Sequence, residues 1–148
     1  MKYRIMSILI LFSILPSCKK DHCNEILIVT KHFESEYSCE NTKHSLEIDL
    51  NNDCTIIRNK SDYDSKVTGA CHPDIDFSQY DFVIGKQSFG NSNDTILYDC
   101  RYKCPGNELT LTVDIVQTTN TVPDNVVYHA LIPKIGDGET LNIIVNVK

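Results

Sequence analysis

Seven cysteines, five histidines and 20 Asp plus Glu are the groups in this 148-residue chain with the most chemistry to offer. The cysteines are Cys18, Cys23, Cys39, Cys54, Cys71, Cys100 and Cys104. Thiols in such number form disulfides, hold a metal or attack an electrophile. A structural zinc site usually shows paired short spacings, C-x2-C with a second matching pair. Here only Cys100 and Cys104 lie close, and His22, His32, His44, His72 and His129 are scattered, so no metal is expected. Asp74, Asp76 and Asp81 resemble a calcium cluster in composition, because hard cations want several oxygen ligands. The stretch lacks the Gly and final Glu of an EF-hand loop, and the plainer reading is a turn whose carboxylates cap backbone N–H groups. Nucleophilic catalysis has little support. There is no G-x-S-x-G elbow, and disulfide formation would leave no free thiol. His129 sits in an alternating run and reads as a surface or packing residue rather than a general base. Carboxylates are too abundant for an acid/base pair to be picked out. The chain is therefore expected to be no enzyme and to use no cofactor. Tyr98, Tyr102 and Tyr128 are candidates for an aromatic platform that binds a sugar or peptide, although Tyr favours strands anyway.

The position of Cys18 gives it a different role. Met1-Lys2-Tyr3-Arg4 is a basic start, Ile5 to Leu15 is an apolar run, and Leu15-Pro16-Ser17-Cys18 follows. A basic start, an apolar run of about eleven residues and a small residue before a cut are the parts of a secretory signal. The run is too short for a bilayer-spanning helix, which needs roughly 20 apolar residues. The Leu-x-small-Cys ending resembles the lipobox of bacterial lipoproteins, with Pro16 departing from the commonest residue at its position. The resemblance implies a signal peptide over 1–17, a diacylglyceryl group on Cys18, a short tether over 18–24 and one domain over 25–148. It places the protein on a membrane of the bacterial envelope through lipid alone, the outer membrane by expectation. Two or more acyl chains give stable anchoring.

Lipidation of Cys18 removes the odd cysteine. The remaining six, in an oxidising compartment, form up to three disulfides with fifteen possible connectivities. Sequence order favours local pairs: Cys54–Cys71 first, then Cys100–Cys104 and Cys23–Cys39.

The elements that must position these residues are mostly strands. Leu109 to Ile115 alternates apolar and polar without a break, Leu141 to Val147 nearly does, and Val126 to Ile132 is a third strong strand ended by Pro133. Glu25 to Thr30, Ser45 to Leu50, Cys54 to Ile57, Phe82 to Lys86 and Thr95 to Tyr102 are further strand candidates. Turn residues separate them at Asn51–Asp53, Asn91–Asp94, Pro105–Asn107 and Gly136–Gly138. One short helix is expected from Ser61, a capping-box start, with Gly69 as its stop. The pattern predicts an all-β, antiparallel sandwich or barrel-like domain stabilised by disulfides.

Net charge is −6 and the isoelectric point is near 5.2, which argues against nucleic acid as a partner. Hydrophobic residues at 41% and charged residues at 23% are ordinary for a globular domain. Asp94-Thr95-Ile96 resembles the acidic-hydroxyl-aliphatic sites that some envelope bacteria O-glycosylate.

The stretches Cys54 to Ile57, Ser61 to Val67, Asp74 to Gly85 and Tyr128-His-Ala-Leu-Ile-Pro-Lys134 together resemble the C-terminal domain of PrcB-type lipoproteins, over roughly 54–147. That family comprises small subunits associated with a surface protease complex. The resemblance implies a non-catalytic accessory domain and carries over no catalytic residue. Where the family commonly has a Thr-Gly-Gly-Tyr-like turn, this chain has Gly85-Lys-Gln-Ser-Phe-Gly90. The expected function is a membrane-anchored, extracytoplasmic module that binds an envelope or secreted protein, a protease in the first instance, as scaffold or inhibitor. Edge strands and the loops 85–95 and 118–125 are its natural contact surfaces. The alternative is an envelope receptor for a small ligand or glycan.

Overall fold

Alternating sequence becomes strand along most of the chain. The computed structural model describes residues 25–103 and 107–148. In chain order the elements are β1 (Ile26–Ile28), α1 (Phe33–Tyr37), α2 (Thr42–Ser45), β2 (Leu46–Ile48), β3 (Asp53–Ile57), α3 (Lys60–Lys66) and β4 (Val67–Gly69). They continue with β5 (Tyr80–Phe89), β6 (Asn93–Lys103), β7 (Glu108–Gln117), β8 (Asp124–Pro133) and β9 (Thr140–Val147). The signal peptide, Cys18, Cys23 and Cys104 fall outside the described residues. No described helix is long and apolar enough to cross a membrane.

The all-β sandwich is observed. A four-stranded sheet, ordered β1-β6-β7-β9, packs on a three-stranded sheet, ordered β3-β5-β8. Between them lies an aliphatic core that includes Leu111, Val113 and Ile115 of β7 with Val83, Ala130 and Ile132 of the facing sheet. The three-stranded sheet is covered on its other face as well. There α1, α3 and the two-stranded ribbon β2-β4 bury Phe33, Leu46, Tyr63, Val67, Phe82 and Leu131 in a second core. Burial on both faces explains why the middle of β8 is buried residue after residue, whereas β7 alternates.

Three details differ from the sequence expectation. First, β9 runs parallel to β7, with Leu109 opposite Leu141 and Ile115 opposite Val147. The chain leaves β7, crosses to the other sheet as β8, and returns as β9 in its original direction. A parallel pair needs such a crossover. Second, the described residues form three short helices, not one. The anticipated helix is α3, but its N-cap is Asn59, whose Oδ1 accepts from the Asp62 N–H at 2.8 Å. Ser61 lies inside the first turn.

Third, the disulfide joins Cys39 to Cys71, with Cα atoms 5.8 Å apart. This overturns the pairs Cys54–Cys71 and Cys23–Cys39. The reason is the antiparallel β2-β4 ribbon, which sets Leu46 opposite Gly69 and so brings the segment before β2 beside the segment after β4. Cys100 is a buried free thiol, which also overturns Cys100–Cys104, and Cys54 is a half-buried free thiol. A covalent link across 32 residues stabilises by roughly 3.5–4 kcal/mol in the chain-entropy model. It clamps a strained turn: Ser38 and Asn41, on either side of Cys39, both have left-handed backbone, φ 57° and 50°. Asn tolerates that conformation better than most residues.

Candidate functional site

Two features of the fold offer themselves to a partner: a polar cavity beside β8 and an open sheet edge along β9.

The cavity lies where the edge strand β8 meets the chain between α1 and α2. Three backbone groups on this edge are closed by other parts of the molecule. Lys31 and Leu131 exchange backbone hydrogen bonds of 3.0 and 2.9 Å, and the His129 N–H donates to the Tyr98 hydroxyl at 3.0 Å. Further along β8, a cavity of about 380 Å³ remains, floored by Ile96, Tyr98 and Val127. Its walls carry His32, Glu34, Thr42, Lys43, Asp94 and His129.

His129 is 3% exposed and belongs to the helix-side face of β8, where it packs on Phe33 with ring centroids 4.8 Å apart. Its Nε2 is 2.7 Å from Thr42 Oγ1, while its Nδ1 is buried without a hydrogen-bond partner among the described residues. Burial pushes its pKa down to about 3, helped by the nearby His32. The imidazole is therefore neutral, and Glu34 Oε2, 3.8 Å from Nε2, does not form an ion pair with it. Thr42, His129 and Glu34 form a hydroxyl–imidazole–carboxylate trio, but hydroxyl and carboxylate share one ring nitrogen. In a nucleophilic triad they occupy opposite nitrogens, so that the acid orients the ring while the other nitrogen takes the proton. His129 is a packing histidine, as the sequence suggested, with one polar atom to spare.

Lys43, half-buried at the mouth, donates to Asn93 Oδ1 at 3.2 Å and to the Asp94 carbonyl at 3.4 Å. Asn93 in turn donates to the Thr95 and Val116 carbonyls at 3.1 and 3.0 Å. These bonds hold a bulge in β6, where the register against β7 steps from Asn93–Gln117 to Thr95–Val116 and leaves Asp94 as the extra residue. Bulges commonly re-aim a side chain, and here Asp94 joins the cavity wall. The Asp94-Thr95-Ile96 triplet thus lies along this rim.

The proposed tyrosine platform does not form. Tyr98 lies in the cavity, its ring centroid 4.6 Å from that of His32 and tilted by 41°. Tyr102 is elsewhere, donating to Glu139 Oε1 at 2.8 Å. Tyr128 is 2% exposed and lies across Gly85, where any Cβ would overlap its ring. The three tyrosines share no surface, because alternate burial sends Tyr128 into the sandwich core.

The acidic stretch also resolves into separate structural roles. Asp76 caps a turn, accepting from the Ser78 N–H at 3.0 Å and the Ser78 hydroxyl at 2.6 Å, bonds that lower its pKa. Asp74 pairs with Lys60 at 2.9 Å. Asp81 is fully buried, with Lys134 Nζ 2.9 Å from one oxygen and the Ile135 N–H donating to the other at 3.2 Å. Among the described residues no group of three His, Cys, Asp or Glu is spaced to hold a metal. Burial raises the pKa of the Cys54 thiol and pushes that of Cys100 up to about 11, which disfavours the reactive thiolate in both.

The second feature is the outer edge of β9. Thr140-Leu-Asn-Ile-Ile-Val-Asn-Val147 contains no charge and no proline. Among the described residues it pairs only with β7. Its inward side chains Leu141, Ile143 and Val145 stay half-buried, and Ile144 is 39% exposed. Most edges are blunted by short length, charge, proline or a covering segment. β1 and β3 are short, and β8 is partly covered by Lys31 and Tyr98.

Of these site residues, sequence reasoning singled out His129, Tyr98 and the Asp94 triplet. It gave His32 and Thr42 no place in a site and passed over Glu34 and Lys43 altogether. Helices of five and four residues carry no periodicity that would mark them. No family model matches the chain, and neither a curated protein nor a solved structure shows significant similarity to it.

Proposed function

We propose that this protein is a lipid-anchored, extracytoplasmic bacterial binding module that engages a protein partner by strand addition and catalyses nothing. The observation that carries this reading is the uncharged, unprotected edge of β9. A partner in extended conformation would bond its backbone to that edge and cover Leu141, Ile143 and Val145, so that affinity comes from main-chain bonds and specificity from alternate side-chain pockets. The Cys39–Cys71 disulfide fits an oxidising compartment, in agreement with the signal peptide and lipobox that the sequence resembles. The PrcB-type resemblance makes a surface protease complex the first partner to test, with this chain as accessory subunit or inhibitor.

The test is capture of partners from envelope and secreted extract on the oxidised protein with Cys18→Ser, beside the same bait carrying Ile144→Lys. A stoichiometric protein held by the first bait and lost from the second is the expected result. Equal capture by both baits, or by neither, overturns strand addition at β9. Anchoring is read separately: wild-type protein should sediment with membranes and Cys18→Ser should not.

A second reading, a small-ligand receptor, is favoured by the cavity beside β8, which combines apolar residues with charges of both signs. Ligand sites are concave, with an apolar floor and a few convergent polar groups.

A further inference from the structure

The cavity at β8 holds charges of both signs that do not satisfy each other. Glu34 forms no ion pair with a cation among the described residues, since its neighbour His129 is neutral. Lys43 spends its bonds on an amide oxygen and a backbone carbonyl, both uncharged. His129, also in the lining, is 3% exposed and neutral, so it supplies neither of them with a charge partner.

The charge pattern selects among ligand classes. A simple anion would pair with Lys43 but meet the carboxylates of Glu34 and Asp94. A simple cation would pair with the carboxylates but meet Lys43. A neutral sugar would strip water from all three charged groups and return no charge to any of them, which is costly. A ligand carrying an ammonium and a carboxylate pairs with both signs at once. Charge-assisted hydrogen bonds of this kind are about twice as strong as neutral ones. At about 380 Å³ the cavity lies near the small end of ligand sites, which run from roughly 300 to 1,000 Å³, so its occupant is small.

We propose that this cavity binds a small zwitterion, an amino acid or a peptide of very few residues, with its carboxylate on Lys43 and its ammonium on Glu34. The apolar floor of Ile96, Tyr98 and Val127 takes the side chain. This inference rests on the small-ligand reading and does not involve the β9 edge.

The probe is L-alanyl-L-alanine, titrated into the full oxidised chain by calorimetry while the His129 ring nitrogens are followed by NMR. N-acetyl-L-alanine lacks the ammonium, L-alanine amide lacks the carboxylate, and glucose lacks both. The dipeptide should saturate and shift the His129 ring resonances, because that side chain belongs to the cavity lining. Each single-charge analogue should bind at least about tenfold more weakly, the equivalent of one lost charge-assisted bond of about 1.4 kcal/mol. Lys43→Gln and Glu34→Gln should each weaken the dipeptide by a similar factor, and Glu34→Gln, at an exposed position, should do so with an unchanged melting temperature. Binding of glucose with an inert dipeptide overturns the zwitterion while keeping the small-ligand reading. Binding of any single-charge analogue as tightly as the dipeptide also overturns it. If none of the four probes binds or moves His129, both readings fail together.

Discussion

The two cores on either face of the three-stranded sheet are built by opposite means. The core between the sheets is aliphatic and is walled by strands of eight to eleven residues, apart from short β1 and β3. Its two cysteines, Cys54 and Cys100, are thiols. The helix-side core is walled by elements of three to seven residues and filled with aromatic rings. Phe33 stacks on Phe82 at 4.8 Å, Tyr63 meets Phe82 edge-on at 5.6 Å, and His129 packs against both phenylalanines. Short elements supply few backbone bonds, so this layer relies on large rings and on a covalent tie. Long strands hold each other by their ladders, and their core, mainly aliphatic around Tyr128, carries no disulfide among the described residues. The cavity falls at the rim of the dependent layer, and the open edge belongs to the independent one.

The largest predicted effect tests the ring-filled core. Phe33→Ala removes a fully buried ring and should cost about 3–5 kcal/mol in denaturant unfolding. The cavity should lose its shape with it, because Glu34 and Thr42 are carried by the same segment. Next, Cys39→Ser should cost roughly 3.5–4 kcal/mol, and a reducing agent should lower wild-type stability by the same amount while leaving the variant unchanged. Further loss in the variant on reduction would mean that another disulfide matters more. Gly85→Ala tests the sandwich core. The new methyl group meets the Tyr128 ring and should cost about 1–3 kcal/mol, as overpacking usually does.

A smaller, pH-dependent effect belongs to His129. Its folded pKa, about 3, lies below the ordinary value of 6.5, so the unfolded chain binds the extra proton. The contribution of neutral His129 is fully present above pH 6.5 and is lost as pH falls toward 3. The slope approaches about 1.4 kcal/mol per pH unit within that window. The difference in slope between wild type and His129→Asn between pH 6.5 and 5 isolates this group from the carboxylates, and equal slopes would contradict a buried neutral imidazole. The smallest effect is at β9: Ile144→Lys should change stability by no more than about 0.5 kcal/mol, as expected of an exposed position. A large loss there would show that the edge is already part of the core.

The sequence made the long strands legible. Glu108–Gln117 and Thr140–Val147 contain the runs marked by alternation, because one face of each must be apolar, and Asp124–Pro133 contains the largely apolar run Val126–Ile132, which is buried on both faces. β4, α1 and α2 were not legible. Three to five residues are too few to show a period, and these elements exist only because the sheet beneath them is apolar on both faces. The parallel direction of β9 is a property of where β8 packs, which no local pattern records. The disulfide was misread for the same reason, since Cys39 and Cys71 meet through the β2-β4 register and not through proximity in sequence. His129 was legible as a packing residue, but its partners Thr42 and Phe33 come from another stretch of chain.

The parallel pairing of β7 with β9 also bears on folding. In the chain between these two neighbours lies the whole of β8, which pairs in the opposite sheet. Non-local, parallel pairing of this kind is slow to form, because the chain entropy of closing the loop is lost before the contacts are gained. Until then an uncharged strand and the exposed flank of β7 wait side by side, each a template for the wrong neighbour. A slow-forming pairing and the proposed step of partner binding therefore use the same strand. The rate at which β9 docks on β7 sets how long the free chain is open to mispairing.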